Sequence, residues 1–291
     1  MRLATLSLSG TPELCARRGD FFLPLSTEPG LPVDLIGFLS ADPKTLARLE
    51  AALAATPESA GIPAGSAQYL PVLPRPGKII CLGLNYTDHA SEGGFAKPDY
   101  PAVFLRTSSS LVAHGAAMIR PVQSDEFDYE VELAVIIGKR TRRAAARDAL
   151  SSVAGYSVFN DGSIRDYQFK SQQWTVGKNF DGTGSFGPEF VSADELPAGA
   201  KGLRVTTRLN GELVQDANTS DMIFDVATMI AILSECMTLE IGDVIIMGTP
   251  SGVGFARKPQ LWMKPGDVCE CAIESVGTLS NPIVQEQLSV A

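Results

Sequence analysis

The 291-residue chain is poor in the residues on which many catalytic and metal-binding classes depend. It has 2 histidines and 5 scattered cysteines, and neither histidine is spaced with a cysteine pair, which disfavours a zinc site. Reduced thiols in a cytoplasmic protein are the expected reading of such cysteines. No window approaches the roughly 20 apolar residues of a membrane span. The first 20 residues show no secretory signal pattern.

Positive charge is also in deficit. The 24 lysines and arginines stand against 33 acidic residues, a net charge of −9. Nucleic-acid binders carry a basic surface, so this balance argues against that partner. It does not exclude a small anionic substrate, because local charge at a site can oppose the net charge. The glycine-rich loop 247–254 lacks the Gly-Lys-Ser/Thr ending of a P-loop, and no dinucleotide GxGxxG follows a strand.

The remaining composition, 45% hydrophobic and 20% charged, is that of a globular protein. Residues 1–70 predict a small N-terminal domain with a helix over Asp42–Ala55, and 71–291 predict a larger domain. The segments Leu203–Leu209 and Glu212–Val214, joined at Asn210-Gly211, predict a hairpin. The segment Asp221–Met237 is expected to contain an apolar helix, with Asp225 or Ser220 as a possible N-cap. Because strands and helices do not alternate regularly, the fold class is mainly β with some α (α+β).

One acidic stretch stands out against this background. Asp128, Glu130 and Glu132 lead into the apolar run 133–137, which is typical of a buried strand. Strand side chains alternate between faces, so the three carboxylates are expected on one face. Buried carboxylates need a compensating cation, which indicates a metal site with oxygen ligands. The wet face of an edge strand is the alternative, and this stretch alone leaves both open.

A second candidate is the pair His89 and Glu92, which precedes two glycines. Their spacing makes them neighbours in a helical turn. A histidine oriented by a carboxylate can activate water. An incidental surface ion pair is the alternative.

Asp161 ends a predicted strand, where it could complete a metal site begun on a neighbouring strand. Arg165 and Gln168 follow and would share a helix face, suited to a substrate carboxylate or carbonyl. Lys178 lies in a glycine-rich stretch and is a candidate catalytic or anion-binding lysine. A solvated helix face and a surface lysine are the alternatives.

From about Leu73 to Val284, the chain resembles the fumarylacetoacetate hydrolase family. The resemblance rests on motifs that occur in the family's order: Gly83-Leu84-Asn85-Tyr86 with His89 and Glu92, Tyr129-Glu130-Val131-Glu132-Leu133, Asn160-Asp161 with Arg165, Lys178 with Phe180-Asp181, and Gly248-Thr249-Pro250 with Gly254. It implies a mixed β-sandwich roll with a metal site at its mouth, usually assembled as a homodimer.

The resemblance also implies a role for each matching residue. Glu130, Glu132 and Asp161 correspond to the metal ligands, for Mg²⁺ or Mn²⁺ and in some members Ca²⁺. His89 and Glu92 resemble the pair that activates water. The substrate-holding positions correspond to Arg165, Gln168, Lys178 and Thr249, with Lys178 also catalytic. Asp128 is left as a flanking carboxylate.

The activity that this resemblance implies is hydrolysis of a C–C bond in a small 2,4-dioxo acid, an acylpyruvate or a diketo-deoxy sugar acid, to pyruvate and a carboxylic acid. The same metal-assisted enolate chemistry serves oxaloacetate decarboxylation, tautomerisation or isomerisation, and hydration in aromatic catabolism, so these reactions are the alternatives. A metal-binding module without catalysis is a remote one. The expected partner is a small anionic 2-oxo acid.

Overall fold

The computed structural model describes residues 1–27, 30–57, 60–88 and 98–288. The α-helices, α1 to α6, are Leu35–Leu39, Pro43–Ala55, Ala146–Ala149, Arg165–Gln168, Thr175–Lys178 and Val226–Cys236. The strands, β1 to β18, are Arg2–Leu8, Thr11–Arg18, Phe21–Pro24, Ile62–Pro63, Ile79–Gly83, Ala102–Arg106, Leu111–Val112, Met118–Arg120, Phe127–Asp128, Val131–Ile137, Val153–Asp161, Ser163–Ile164, Gly184–Ser192, Arg204–Leu209, Glu212–Asn218, Val244–Ile246, Val268–Ile273 and Gly277–Gln285.

The larger sheet has β10 and β11 near its centre. Its strand order is β4-β3-β2-β1-β13-β11-β10-β16-β5-β6, and β7 pairs with β13. All seven residues of β10 are buried, as its β-branched and apolar run predicts. The predicted metal ligands Glu132 and Asp161 therefore lie on buried strands near the centre of this sheet.

A second sheet, β15-β14-β17-β18-β8, packs against the first. The largest apolar cluster combines side chains of both sheets and of α6, among them Leu133, Val205, Leu279 and Ile230. This sandwich of mixed sheets with few helices confirms the predicted fold class.

The helix predicted in the N-terminal segment is α2. Asp42 caps it by accepting hydrogen bonds from Lys44 N and Thr45 N. Strands β1 to β4 extend the larger sheet through pairing of β1 with β13, with Arg2 opposite Val191. The division at residue 70 stays a prediction.

Other local expectations are confirmed. Asp225 caps α6 by accepting from Thr228 N. The hairpin β14–β15 turns at Asn210 (φ 52°) and Gly211 (φ 83°), both left-handed as a type I′ turn requires. Among the described residues, none of the helices combines the length and the apolar character that crossing a membrane takes.

The turn allows a test of the fold. Nothing lies within 4 Å of a Cβ added to Gly211, so Gly211→Ala changes backbone strain alone. We expect the free energy of unfolding to fall by about 1–2 kcal/mol, the cost of the left-handed conformation for an L-residue. Denaturant unfolding measures this change in free energy. Gly65→Ala is the control, because a Cβ at Gly65 also meets nothing within 4 Å but the residue has no positive φ. Equal effects of the two substitutions would contradict the assigned turn.

Candidate metal and substrate site

A cleft of about 560 Å³, its open mouth included, lies over the end of β10. Its floor is polar and consists of Glu130, Glu132, Arg165, Gln168, Lys178 and Thr249. Its wall is apolar and consists of Leu82, Leu84, Phe104, Phe169, Trp174, Val253, Phe255 and Ala256. The cleft therefore brings together every sequence-predicted binding residue outside the segment 89–97, with Asp161 directly beneath.

The acidic stretch is not one continuous strand. It forms β9 up to Asp128, then β10 from Val131, and the residues between make no regular ladder. The side chain of Asn160 fills the gap by accepting from Glu130 N at 3.0 Å. The break sends Asp128 into pairing opposite Ser163 in a separate two-stranded sheet. The expectation that three carboxylates share one face therefore fails for Asp128.

Glu130, Glu132 and Asp161 do converge. One carboxylate oxygen from each lies within 4.8 Å of the others, and all three residues are at most 3% exposed. Asp161 arrives from the end of β11, which pairs with β10 so that Asn160 lies opposite Val131. Three hard oxygen donors at this spacing suit Mg²⁺, Mn²⁺ or Ca²⁺.

Lys178 joins two of these carboxylates. Its Nζ donates to Glu130 Oε2 at 2.5 Å and to Asp161 Oδ2 at 2.6 Å. Burial alone would lower the pKa of Lys178, but the charges of Asp161 and Glu130 outweigh it and raise this pKa. The side chain is thus a fixed buried ammonium and not a surface lysine.

Asp128 organises the site without joining the metal group. It accepts from Gly254 N at 2.7 Å and Phe255 N at 3.0 Å, which fixes the loop of the apolar wall. It also accepts from Arg165 Nε at 2.8 Å. Burial raises the pKa of Asp128, and the charge of Arg165 offsets part of that rise.

Arg165 spans the floor from α4. It donates to Glu130 Oε1 at 2.5 Å and to Gln168 Oε1 at 2.9 Å. The prediction that Arg165 and Gln168 point together is confirmed, but the guanidinium is engaged by carboxylates of the chain itself. Its first role here is to hold Glu130.

Thr249 and its neighbours form the opposite side. Gly248 has a φ of 85°, and its N–H donates to Glu132 Oε2 at 2.5 Å. Thr249 Oγ1 accepts from Gln215 Nε2 at 2.9 Å, while Gln215 Oε1 accepts from Val131 N at 3.2 Å. Gln215 therefore ties the second sheet to both the loop and β10.

The sequence reasoning missed Arg106 and Gln215. Arg106 donates to Asp161 Oδ1 at 2.6 Å from a fully buried side chain. Its strand alternates Val103 and Leu105, which are exposed, with Phe104, which is buried, so an arginine takes an inward position. The one feature that marks Arg106 as inward-facing is the exposure of Val103 and Leu105. That exposure cannot be read from the sequence.

Charge balance supports a bound cation. The four buried carboxylates of Asp128, Glu130, Glu132 and Asp161 face three buried cations, Arg106, Arg165 and Lys178. Within the described part of the chain, Glu132 forms no ion pair with a lysine or arginine. Burial, followed by the charges of Asp161 and Glu130, raises the pKa of Glu132 well above its ordinary value. A divalent cation fits this donor set, and the cluster can hold one.

Of the two histidines, the structure describes only His114. His89 and Glu92 lie outside the described residues. His114 lies away from the cleft, where its Nδ1 accepts from Ser280 N and its ring packs edge-on against Tyr69. His114 is therefore no candidate for chemistry in the cleft.

Comparisons with known proteins agree with this architecture. Residues 78–284 match the family model described as "Fumarylacetoacetate (FAA) hydrolase C-terminal". The chain is 40% identical over 258 residues to the mitochondrial oxaloacetate tautomerase Fahd2a of Rattus norvegicus, covering 88% of this chain and 82% of that one. The mitochondrial oxaloacetate tautomerase FAHD2A of Homo sapiens is 40% identical with the same two coverages.

Solved structures are similar over nearly the whole chain. A putative HpcE protein from Mycobacterium smegmatis superimposes with a TM-score of 0.87 at 32% identity, covering 99% of this chain and 100% of that one. Maleylpyruvate hydrolase from Sphingobium sp. SYK-6, in complex with manganese(II) and pyruvate, gives 0.81 at 30% identity with the same coverages.

The metal group yields a direct test. We expect Glu132→Gln to weaken Mn²⁺ binding by more than about 100-fold, since replacing even a residue that only orients a ligand typically costs 10–100-fold. Titration calorimetry or electron paramagnetic resonance of free Mn²⁺ measures the change. Glu126→Gln, a half-buried glutamate of the same segment outside the cluster, is the control. Unchanged affinity in Glu132→Gln would remove it from the metal site.

Proposed function

Because the chain belongs to the fumarylacetoacetate hydrolase family, we propose that it is a divalent-metal-dependent enzyme that interconverts the keto and enol forms of a small 2-oxo acid of the oxaloacetate type. The observation that carries this proposal is the convergence of Glu130, Glu132 and Asp161 with the ammonium of Lys178 on the cleft floor. Such a floor stabilises negative charge on an oxo oxygen, which is what enolisation creates.

Glu130, Glu132 and Asp161 hold the metal in this proposal. A divalent ion held by these residues would act as a Lewis acid towards the oxo group of the substrate. With all four carboxylates ionised, such an ion would change the buried group from one net negative charge to one net positive charge. A site of that charge attracts the anion of a 2-oxo acid, although the whole chain is acidic.

Hydrogen-bond donors on the floor are arranged for an anion. The amide oxygen of Gln168 is taken by Arg165, so its NH₂ group is the end left to donate. Thr249 Oγ1 accepts from Gln215, so its O–H proton is left to donate. Together with Lys178, these groups would bind the carboxylate and oxo oxygens of the substrate and orient C3 towards the mouth of the cleft.

Tautomerisation to the enol requires a group that takes a proton from C3 and delivers one to the oxo oxygen. As the C3–H bond breaks, its electron pair forms the C2–C3 double bond and the oxo oxygen becomes negatively charged until a proton reaches it. Lys178 offsets that charge. We assign the proton transfer to His89, oriented by Glu92, because the other histidine is bound elsewhere. A histidine titrates in the pH range that this role needs.

Hydrolysis of an acylpyruvate is the second candidate, and it is the reaction that the sequence motifs alone put first. Two observations favour it: the similar maleylpyruvate hydrolase structure contains pyruvate, and the His89–Glu92 spacing suits water activation. In that reaction hydroxide attacks the distal carbonyl, the C–C bond breaks and the pyruvate enolate leaves. Tautomerisation stands first because two relatives that are 40% identical to this chain are named oxaloacetate tautomerases.

Substrate assays separate the two reactions. With Mn²⁺ bound, we expect the ultraviolet absorbance of the oxaloacetate enol to relax to equilibrium faster than without protein, with no release of CO₂. Acylpyruvates serve as the comparison, with pyruvate and the carboxylic acid as products. Hydrolysis of acylpyruvates without acceleration of the enol–keto exchange would replace the first proposal by the second.

The two histidines provide a matched pair of variants. We expect His89→Ala to slow the exchange by roughly 10²–10⁴-fold, the usual range for loss of a general acid–base group. Mn²⁺ affinity should be unchanged, because His89 is not assigned as a ligand. His114→Asn serves as the control and should retain the rate. Equal rates of the His89→Ala variant and the unsubstituted chain would exclude His89 as the proton carrier.

A further inference from the structure

We propose that Arg106 is a positioning residue that orients Asp161 for metal binding, an inference that rests on the proposed metal site. Its guanidinium donates to Asp161 Oδ1 at 2.6 Å, while the other oxygen of that carboxylate, Oδ2, accepts from Lys178. One oxygen of Asp161 is thereby held by Arg106, and the other lies against Lys178, which also binds Glu130.

The guanidinium is itself held on every side. Nη1 also donates to Gly162 O at 3.1 Å, Nη2 donates to Thr183 Oγ1 at 3.0 Å, and Nε donates to Ser110 Oγ at 3.2 Å. The guanidinium is therefore anchored to the carbonyl of Gly162, the residue immediately after Asp161. Rotation of the carboxylate would break a short charge-assisted bond whose donor cannot follow.

Gly184 supplies the space that this arrangement requires. It lies directly opposite Asp161 in the pairing of β13 with β11. A Cβ added to Gly184 would lie 2.5 Å from Nη2 and 2.9 Å from Nε and Cζ of Arg106. The absence of a side chain at this buried strand position lets the guanidinium lie flat against the strand pair beside Asp161.

Charge compensation alone would make any cation sufficient at position 106. Positioning by the fork makes a different demand, because a lysine ammonium can replace the charge but cannot reach Asp161, Gly162 and Thr183 with the same planar geometry. The two accounts therefore differ in what Arg106→Lys does. Orienting groups of this kind typically contribute 10–100-fold to metal affinity.

The test is Mn²⁺ binding measured by electron paramagnetic resonance, with thermal melting of the metal-free protein as the fold control. We expect Arg106→Gln to raise the Mn²⁺ Kd by about 10–100-fold. Arg106→Lys should recover only part of that loss. Gly184→Ala and Thr183→Val, which disturb the guanidinium and leave Asp161 in place, should each weaken binding less, in the same direction.

Arg204→Gln is the matched control, since Arg204 forms a fork with Asp216 on the surface and should leave the Kd unchanged. If folded Arg106→Gln binds Mn²⁺ as the unsubstituted chain does, or if Arg106→Lys restores full affinity, the positioning role is overturned. If Arg106→Gln does not fold, unchanged affinity in Gly184→Ala and Thr183→Val overturns it equally. Failure of the unsubstituted chain to bind Mn²⁺ would instead overturn the proposed metal site, and this inference with it.

Discussion

Burial of carboxylates is the constraint on which the rest of this structure depends. Four acidic groups that are at most 3% exposed lie together where β9 and β11 end and β10 begins, and each ionised group at such a depth is costly unless a cation approaches it. The chain answers with Arg106, Arg165 and Lys178, which come from three separate elements. Their ion pairs tie α4, α5 and the end of β6 to the carboxylates at the floor of the cleft.

The charged groups on the floor of the cleft suit several reactions of one chemical type. Tautomerisation, decarboxylation and C–C hydrolysis of 2-oxo acids all pass through negative charge on the oxo oxygen. In the proposed mechanism, Lys178 and a divalent ion would stabilise that charge whichever bond breaks. The reactions differ in what touches the far end of the substrate, namely a proton carrier, an activated water or neither. The same carboxylate trio can therefore serve relatives with different names.

The sequence predicted the residues whose signal is local and missed those whose signal is not. Alternation placed Glu130 and Glu132 together, and motif order added Asp161 from another strand. Alternation failed for Asp128, because the Asn160 side chain interrupts the ladder and turns the preceding strand away. The buried position of Arg106 could not be predicted, because Val103 and Leu105 in the same strand are apolar and would be expected to point inwards in its place. Alternation places Arg106 on the same face as Phe104, but only the folded structure shows that this face is buried and lies against Asp161.

Strand β13 carries the glycine that faces Asp161, and its outer edge has two partners. β1 covers that edge at residues 190–191, and β7 covers it at residues 184–185. An open edge of a buried strand would be a template on which another chain could add a strand and aggregate. β1 and β7 together therefore close the edge of the strand that shapes the metal site against the addition of a foreign strand.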